Sequence, residues 1–329
     1  MKKIAVLIIL AMLFALVAAC GPADTAEEPA PAPENGAEEV ADRDGPIVFG
    51  YTSMTQLNPF FGVIESVMRE MIEANGDVLI TMNPTMDQEL QINQIEDLIV
   101  QGIDIMLLNP VDSEGITPAL LMLQEAGIPV VNFDSDVSDQ SLVTTFVGSD
   151  NRNAGYVVGR YLVERFPEGG EIAIIDCPAI VSVVHRIEGF MSAIDGHPFE
   201  VVFQQDGGCD LAVAMGVADD LLIAHPNIVA IFGGNDPTAL GALAAVTAAG
   251  RTDIAIVGVD GSPDAKGEMA PEGPFVASGA QSPISIARVS VETAYRILAG
   301  ETVPANIPVD TFLIYHGNVD TFGPRGDWQ

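Results

Sequence analysis

Lysine is nearly missing from this chain. Lysine and arginine together number 13 against 46 acidic residues, and Lys266 is the only lysine after Lys2 and Lys3. A chain this poor in cations builds no basic patch, which argues against nucleic acid as a partner. The formal net charge of −33 becomes −35 once Lys2 and Lys3 are set aside. That balance favours solubility and repulsion from anionic surfaces. Cysteine is scarce too, with three residues, Cys20, Cys177 and Cys209. Two cysteines beyond the start do not make a disulfide framework, and no metal-ligand spacing surrounds them. An exported chain could pair them, but two free, partly buried thiols are the favoured expectation.

The motifs of common chemistries are absent as well. Neither GxGxxG nor GxxxxGK[ST] occurs, so no phosphate cradle is expected and no nucleotide cofactor is implied. GxSxG and HExxH are missing. His185, His197, His225 and His316 lie far apart with no ligand spacing. The sequence therefore points to no metal, no cofactor and no catalytic residue, and the protein is expected not to be an enzyme.

What is present begins with a secretory signal. Residues 1–20 read MKKIAVLIILAMLFALVAAC, two lysines before an apolar run and small residues. The run is too short and too early for a membrane span. Its end, LVAAC, resembles a bacterial lipobox with Val17 in place of the commoner leucine. In that pattern Cys20 becomes the lipidated first residue, and lipid chains hold the protein at the outer face of the cell membrane or in the periplasm. Residues 21–45 are rich in Pro, Ala and Glu with almost no large apolar residue. They predict a disordered acidic tether.

From residue 46 short β-branched runs alternate with helical stretches. PIVFGYT precedes a helix over 59–75, and the same alternation continues through IAIVGVD. The fold class is α/β, with parallel sheets covered by helices on both faces. The chain also repeats itself. IDIMLLNPVDSEGITPALLMLQEAGIPVVNFD resembles NIVAIFGGNDPTALGALAAVTAAGRTDIAIVGVD, and the Asn109-to-Asp134 spacing of 25 recurs between Asn235 and Asp260. Two similar lobes are expected.

Ligands of open parallel sheets bind outside the carboxyl ends of the strands. Those ends carry LNPFF at 57–61, Asp134, the pair Asn235 and Asp236, and Asp260. Aspartate accepts hydrogen bonds while Asn and Gln both donate and accept, which suits a hydroxyl-rich, uncharged ligand. A sugar ring also has a C–H face that rests on an aromatic ring. Asp134 and Asp260 could instead form an acid/base pair of the glycosidase kind, but no other catalytic feature accompanies them.

LNPFF, LLNPVDSEG, GIPVVNFD, VGSDNRNAG, HRIEGF, AHPNIVAIFGGNDPTALGAL, IAIVGVDG and SGAQSP, in this order, resemble the periplasmic sugar-binding proteins of the ribose-binding type that serve ABC importers. The resemblance runs from about residue 46 to the end. It implies two doubly wound lobes joined by three hinge crossovers, one of 46–149 plus 282–310 and the other of 150–281 plus 311–329. Asn58, Phe60 and Phe61 match ligand residues of the first loop, and Asp134 matches an aspartate that holds hydroxyls. Arg186, Asn235, Asp260 and Gln281 match the remaining polar contacts. The resemblance implies a sugar or polyol ligand, an ABC permease as partner and a monomer. This chain departs from the pattern at three places. Ser135 stands where an arginine is usual, Cys209 where an aromatic stacks on the ring, and Met54 where a serine is usual. Those departures argue against ribose itself and leave another pentose, a hexose, a polyol, an inositol or a furanone-type signal. A sensor presenting the ligand to a membrane receptor would share the fold. So would a repressor effector domain, which the export signal and the missing DNA-binding helices oppose.

Overall fold

The computed structural model describes residues 45–322 and 327–329. The expected signal, the expected lipidation position Cys20 and all but the last residue of the expected tether lie outside them. The described elements run in the order β1 (Val48–Thr52), α1 (Pro59–Ala74), β2 (Val78–Met82), α2 (Gln88–Val100), β3 (Ile105–Leu108), α3 (Thr117–Glu125), β4 (Val130–Phe133) and β5 (Thr145–Ser149). Next come α4 (Asn151–Arg165), β6 (Gly170–Asp176), α5 (Val181–Ile194), β7 (Phe199–Asp206), α6 (Leu211–Ala224), β8 (Ala230–Gly233) and α7 (Asp236–Ala248). The chain finishes with β9 (Ala255–Asp260), α8 (Pro263–Glu268), β10 (Phe275–Ala280), α9 (Pro283–Leu298), β11 (Asn306–Val309) and β12 (Phe312–Tyr315).

The strands form two sheets of the same winding. One has the order β11-β5-β4-β3-β1-β2 and the other β12-β10-β9-β8-β6-β7. All pairs are parallel except β12, which runs antiparallel to β10. Strands β3, β4, β8 and β9 are buried along their whole length. That burial explains their continuous apolar runs, since helices cover both faces. The repeat seen in the sequence is β3-α3-β4 in one sheet and β8-α7-β9 in the other, at matching places in the two strand orders.

The chain passes between the sheets three times, at 149–151, 280–283 and 309–312. The first and third passes are tied together. Asp150 N donates to Val309 O at 3.1 Å, Thr311 Oγ1 donates to Asp150 O at 3.1 Å, and Asn153 Nδ2 donates to Thr311 O at 3.0 Å. Helix α9 returns to the first sheet, where Ile286, Ala287, Val291 and Ala294 join the core that contains Phe49, Ile64 and Phe133.

Local signals set the helix starts that matter for the site. Asn58 Oδ1 accepts from Phe60 N at 3.0 Å and Pro59 occupies the first turn, so α1 begins at the carboxyl end of β1. Asn235 Oδ1 accepts from Thr238 N at 2.9 Å and caps α7 in the same way. Asp210 Oδ1 caps α6 through Ala212 N and Val213 N.

Candidate functional site

The carboxyl ends of both sheets open onto one cavity of about 440 Å³. Its lining contains Asn58, Phe60, Phe61, Asp134, Arg186, Asn235, Asp260 and Gln281, all eight residues singled out in the sequence. Elements of both sheets contribute.

On the first sheet, Asp134 follows β4 with φ 64°, a left-handed backbone that aspartate tolerates better than most residues. Asn109, which follows β3, organises this end. Its Oδ1 accepts from Met54 N at 3.1 Å, and its Nδ2 donates to Phe133 O and to Asp134 Oδ2, each at 3.2 Å. Asp134 Oδ1 is buried and accepts no hydrogen bond from the protein. Burial raises the Asp134 carboxyl to a pKa of about 7, against the opposing pull of the Arg186 guanidinium. Phe60 and Phe61 lie edge to face, centroids 5.4 Å apart. Each is under 5 % exposed while bordering the cavity, so both rings belong to the core and to the cavity wall.

On the second sheet, Asp260 ends β9 with φ 138°. Its Oδ1 accepts from Arg186 at 3.1 Å and from Gln281 Nε2 at 2.7 Å, and its Oδ2 accepts from Asp236 N at 3.3 Å. Burial raises its pKa, with the Arg186 charge opposing the shift. Behind it, Asp236 accepts from Ser278 Oγ at 2.8 Å and Ser262 N at 2.7 Å, and burial lifts its carboxyl to about 7. The two copies of the repeat have therefore diverged. Asn109 is a buried brace outside the cavity lining, whereas Asn235 lines the cavity and leaves bracing to Asp236.

Arg186 is held on three sides. Its Nε donates to Asn151 Oδ1 at 2.9 Å, and one terminal nitrogen donates to Gly234 O at 3.0 Å as well as to Asp260. Asn151 begins α4, and α4 crosses α5 closely at two glycines. A Cβ at Gly155 would overlap the Arg186 carbonyl, and one at Gly189 would overlap the Arg152 carbonyl. Asn151 was not singled out in the sequence, although it stands just past β5 and the strand-end rule reaches it.

The three departures fall at the site or beside it. Met54 lines the cavity. Ser135 does not, and its Oγ donates to Ser182 Oγ of α5 at 3.2 Å, linking the two sheets' elements. Cys209 lines the cavity and is bonded to Cys177, with Cα atoms 5.6 Å apart. The expectation of two free thiols is thus corrected. Asp176 and Asp206 pair in the β6–β7 register, so the loops that follow them run side by side and bring Cys177 to Cys209. A separation of 32 residues in sequence gives no hint of that neighbourhood.

The chain's last described residues also reach the site. The Trp328 ring lies 5.5 Å from Phe60 at 73°, and Gln329 Nε2 donates to Gln281 O and Asp260 O. Ser282 Oγ donates to Gln329 O at 2.6 Å. Among the described residues no group of His, Cys, Asp or Glu has the arrangement of a metal site, and no helix is long and apolar enough to cross a membrane.

Two like-wound α/β lobes with a polar cavity between their strand ends define a hinged ligand-binding protein. Residues 49–302 match the family model of the periplasmic binding protein domain, and the chain belongs to that family. It is 35 % identical over 259 residues to the ribose import binding protein RbsB of Escherichia coli K12, covering 78 % of this chain and 86 % of that one. Among solved structures it is similar to an ABC transporter solute binding protein from Mycobacterium smegmatis with bound glycerol. That likeness has TM-score 0.81 and 32 % identity, over 84 % of this chain and 97 % of the other. A solute binding protein from Bacillus halodurans C-125 with bound myo-inositol gives TM-score 0.80 and 27 % identity, over 85 % and 98 %.

Proposed function

We propose that this protein is an extracytoplasmic solute-binding protein that captures a monosaccharide or polyol by lobe closure and delivers it to the permease of an ABC importer. The observation that carries the reading is the convergence of Asp134, Arg186, Asn235, Asp260 and Gln281 with Phe60 and Phe61 on one cavity drawn from both lobes. Such a set offers carboxylate acceptors, amide and guanidinium donors, and an aromatic wall, the combination a polyhydroxylated ring requires. Relatives named for ribose import, and solved structures holding glycerol and myo-inositol, support the same ligand class.

In this reading residues 46–149 with 282–310 form one lobe, and 150–281 with 311–329 form the other. Asn58, Phe60, Phe61 and Asp134 hold the ligand from the first. Arg186, Asn235 and Asp260 hold it from the second, with Gln281 beside a hinge crossover. A ligand that bridges both lobes selects the closed form, because only that form satisfies both sets of contacts. The protein acts by binding, without turnover, as a monomer anchored through lipid on Cys20.

A thermal-shift screen against pentoses, hexoses, polyols and inositols tests the reading. A ligand at 100 times its Kd stabilises the fold by about 2.7 kcal/mol, enough to raise the melting temperature by roughly 5–10 °C. A flat response to the whole panel refutes it.

A further inference from the structure

The cavity is unevenly charged. Asp134, Asp210, Asp260 and Asp264 line it, and among the described residues Arg186 is the one cationic side chain in the lining. Asp210 and Asp264 are exposed at the rim, where water screens them, but Asp134 and Asp260 are only 4 % exposed. A third buried carboxylate, Asp236, stands directly behind Asp260. Arg186 is bonded to Asp260, with further bonds to Asn151 and Gly234. Among the described residues Asp134 has no ion-pair partner, and its Oδ1 takes no hydrogen bond.

Of the helices that begin at the cavity, α1, α6 and α7 are capped by their own Asn58, Asp210 and Asn235, whereas α5 has no side-chain cap. Ser135, next to Asp134, is occupied with Ser182. A buried carboxylate with one oxygen unpaired is costly, and an ammonium group both fills that oxygen and offsets the charge. A hydroxyl would also give a carboxylate a charge-assisted bond, but only a cation adds the attraction of an opposite charge.

We propose that the ligand carries a protonated amine, as an amino sugar or amino polyol does, and that Asp134 Oδ1 receives it. The inference rests on the sugar or polyol reading and narrows it. The hydroxyls of such a ligand meet Asn58, Asn235 and Gln281, whose side chains both donate and accept. The aromatic pair Phe60 and Phe61 adds a second attraction, because a ring face favours a nearby cation.

Calorimetry with matched sets at pH 7 is the test. Each set compares an amine with its hydroxyl and N-acetyl counterparts: D-glucosamine, D-glucose and N-acetyl-D-glucosamine; the galactose series; glucamine, sorbitol and N-acetylglucamine; and 2-amino-1,3-propanediol, glycerol and its N-acetyl derivative. At least one amine should bind ten-fold or more tightly than both its counterparts. Asp134→Asn, which keeps the side-chain shape, should erase that preference. Neutral members that bind as well as their amines, or a preference that survives Asp134→Asn, overturn the inference while leaving the sugar reading intact. Silence from all four sets and from the wider neutral panel overturns both.

Discussion

Ser135 Oγ donates to Ser182 Oγ at 3.2 Å, joining the loop after β4 to the first turn of α5. Both residues are buried, so this is a bond between lobes that water does not replace while the cleft is shut. A net hydrogen bond is worth about 0.5–1.5 kcal/mol. Ser135→Ala should therefore weaken binding of any sugar found in the screen by roughly two- to twelve-fold, through a less favoured closed state. Small-angle scattering of the unliganded protein should show a larger radius of gyration for the variant. Unchanged affinity and radius would rule out a role in closure.

Asp134→Ala removes a charged acceptor on the first lobe. Affinity should fall by about 1–3 kcal/mol, on the order of five- to 150-fold by calorimetry. A loss under two-fold would take Asp134 out of the ligand contacts.

The same buried carboxyl governs how stability responds to pH. Asp134 and Asp236 are raised to about 7 and Asp136 to about 6, in each case chiefly by burial. Folded chains keep these protons to a higher pH than unfolded ones. Between roughly pH 4 and 7 the native state binds more protons, so the unliganded protein loses stability as pH rises through that window and levels off above it. Asp134→Asn should gain roughly 1–4 kcal/mol at pH 7.5 and change little at pH 4. Urea titrations at both pH values check this, and wild-type and variant curves that stay parallel would contradict it.

Reduction of Cys177–Cys209 should cost about 2–4 kcal/mol, the usual range for a crosslink closing a loop of this order. The bond also ties together the two loops that present Ile180 and Ser182 on one side and Asp210 and Leu211 on the other. Ligand affinity should fall along with stability in Cys177→Ser/Cys209→Ser, measured with and without reductant. Wild type insensitive to reductant in both measurements would count against the crosslink's contribution.

Trp328→Ala should lower stability by roughly 1–2 kcal/mol, since the ring packs edge-on to Phe60 and covers part of the first core. A change below about 0.3 kcal/mol in a urea melt would mean the contact contributes nothing.

Much of the fold was legible because it rests on local rules. Asn58-Pro59 and Asp87 start helices where they stand in the sequence, and the repeated Asn-to-Asp spacing marks equivalent βαβ units. The cavity lining was legible through strand ends and through likeness to a family. What escaped depends on register and on long-range approach. Cys177 meets Cys209 because of how β6 pairs with β7. Ser135 finds Ser182 because two lobes meet, and no pattern within either segment encodes that. Asn151 reaches Arg186 because Gly155 and Gly189 let two helices touch backbone to backbone. The two phenylalanines of LNPFF are helix neighbours that point about 100° apart, yet both are buried, Phe60 against Trp328.

Each sheet takes its sixth strand from the same late stretch, β11 for the first and β12 for the second. β11 pairs with β5 across some 160 residues, Phe146 opposite Asn306. Neither lobe can be finished until nearly the whole chain has been made. Pairings of such sequence separation form late and slowly. A nascent chain therefore cannot complete either sheet until residues 306–315 have been made.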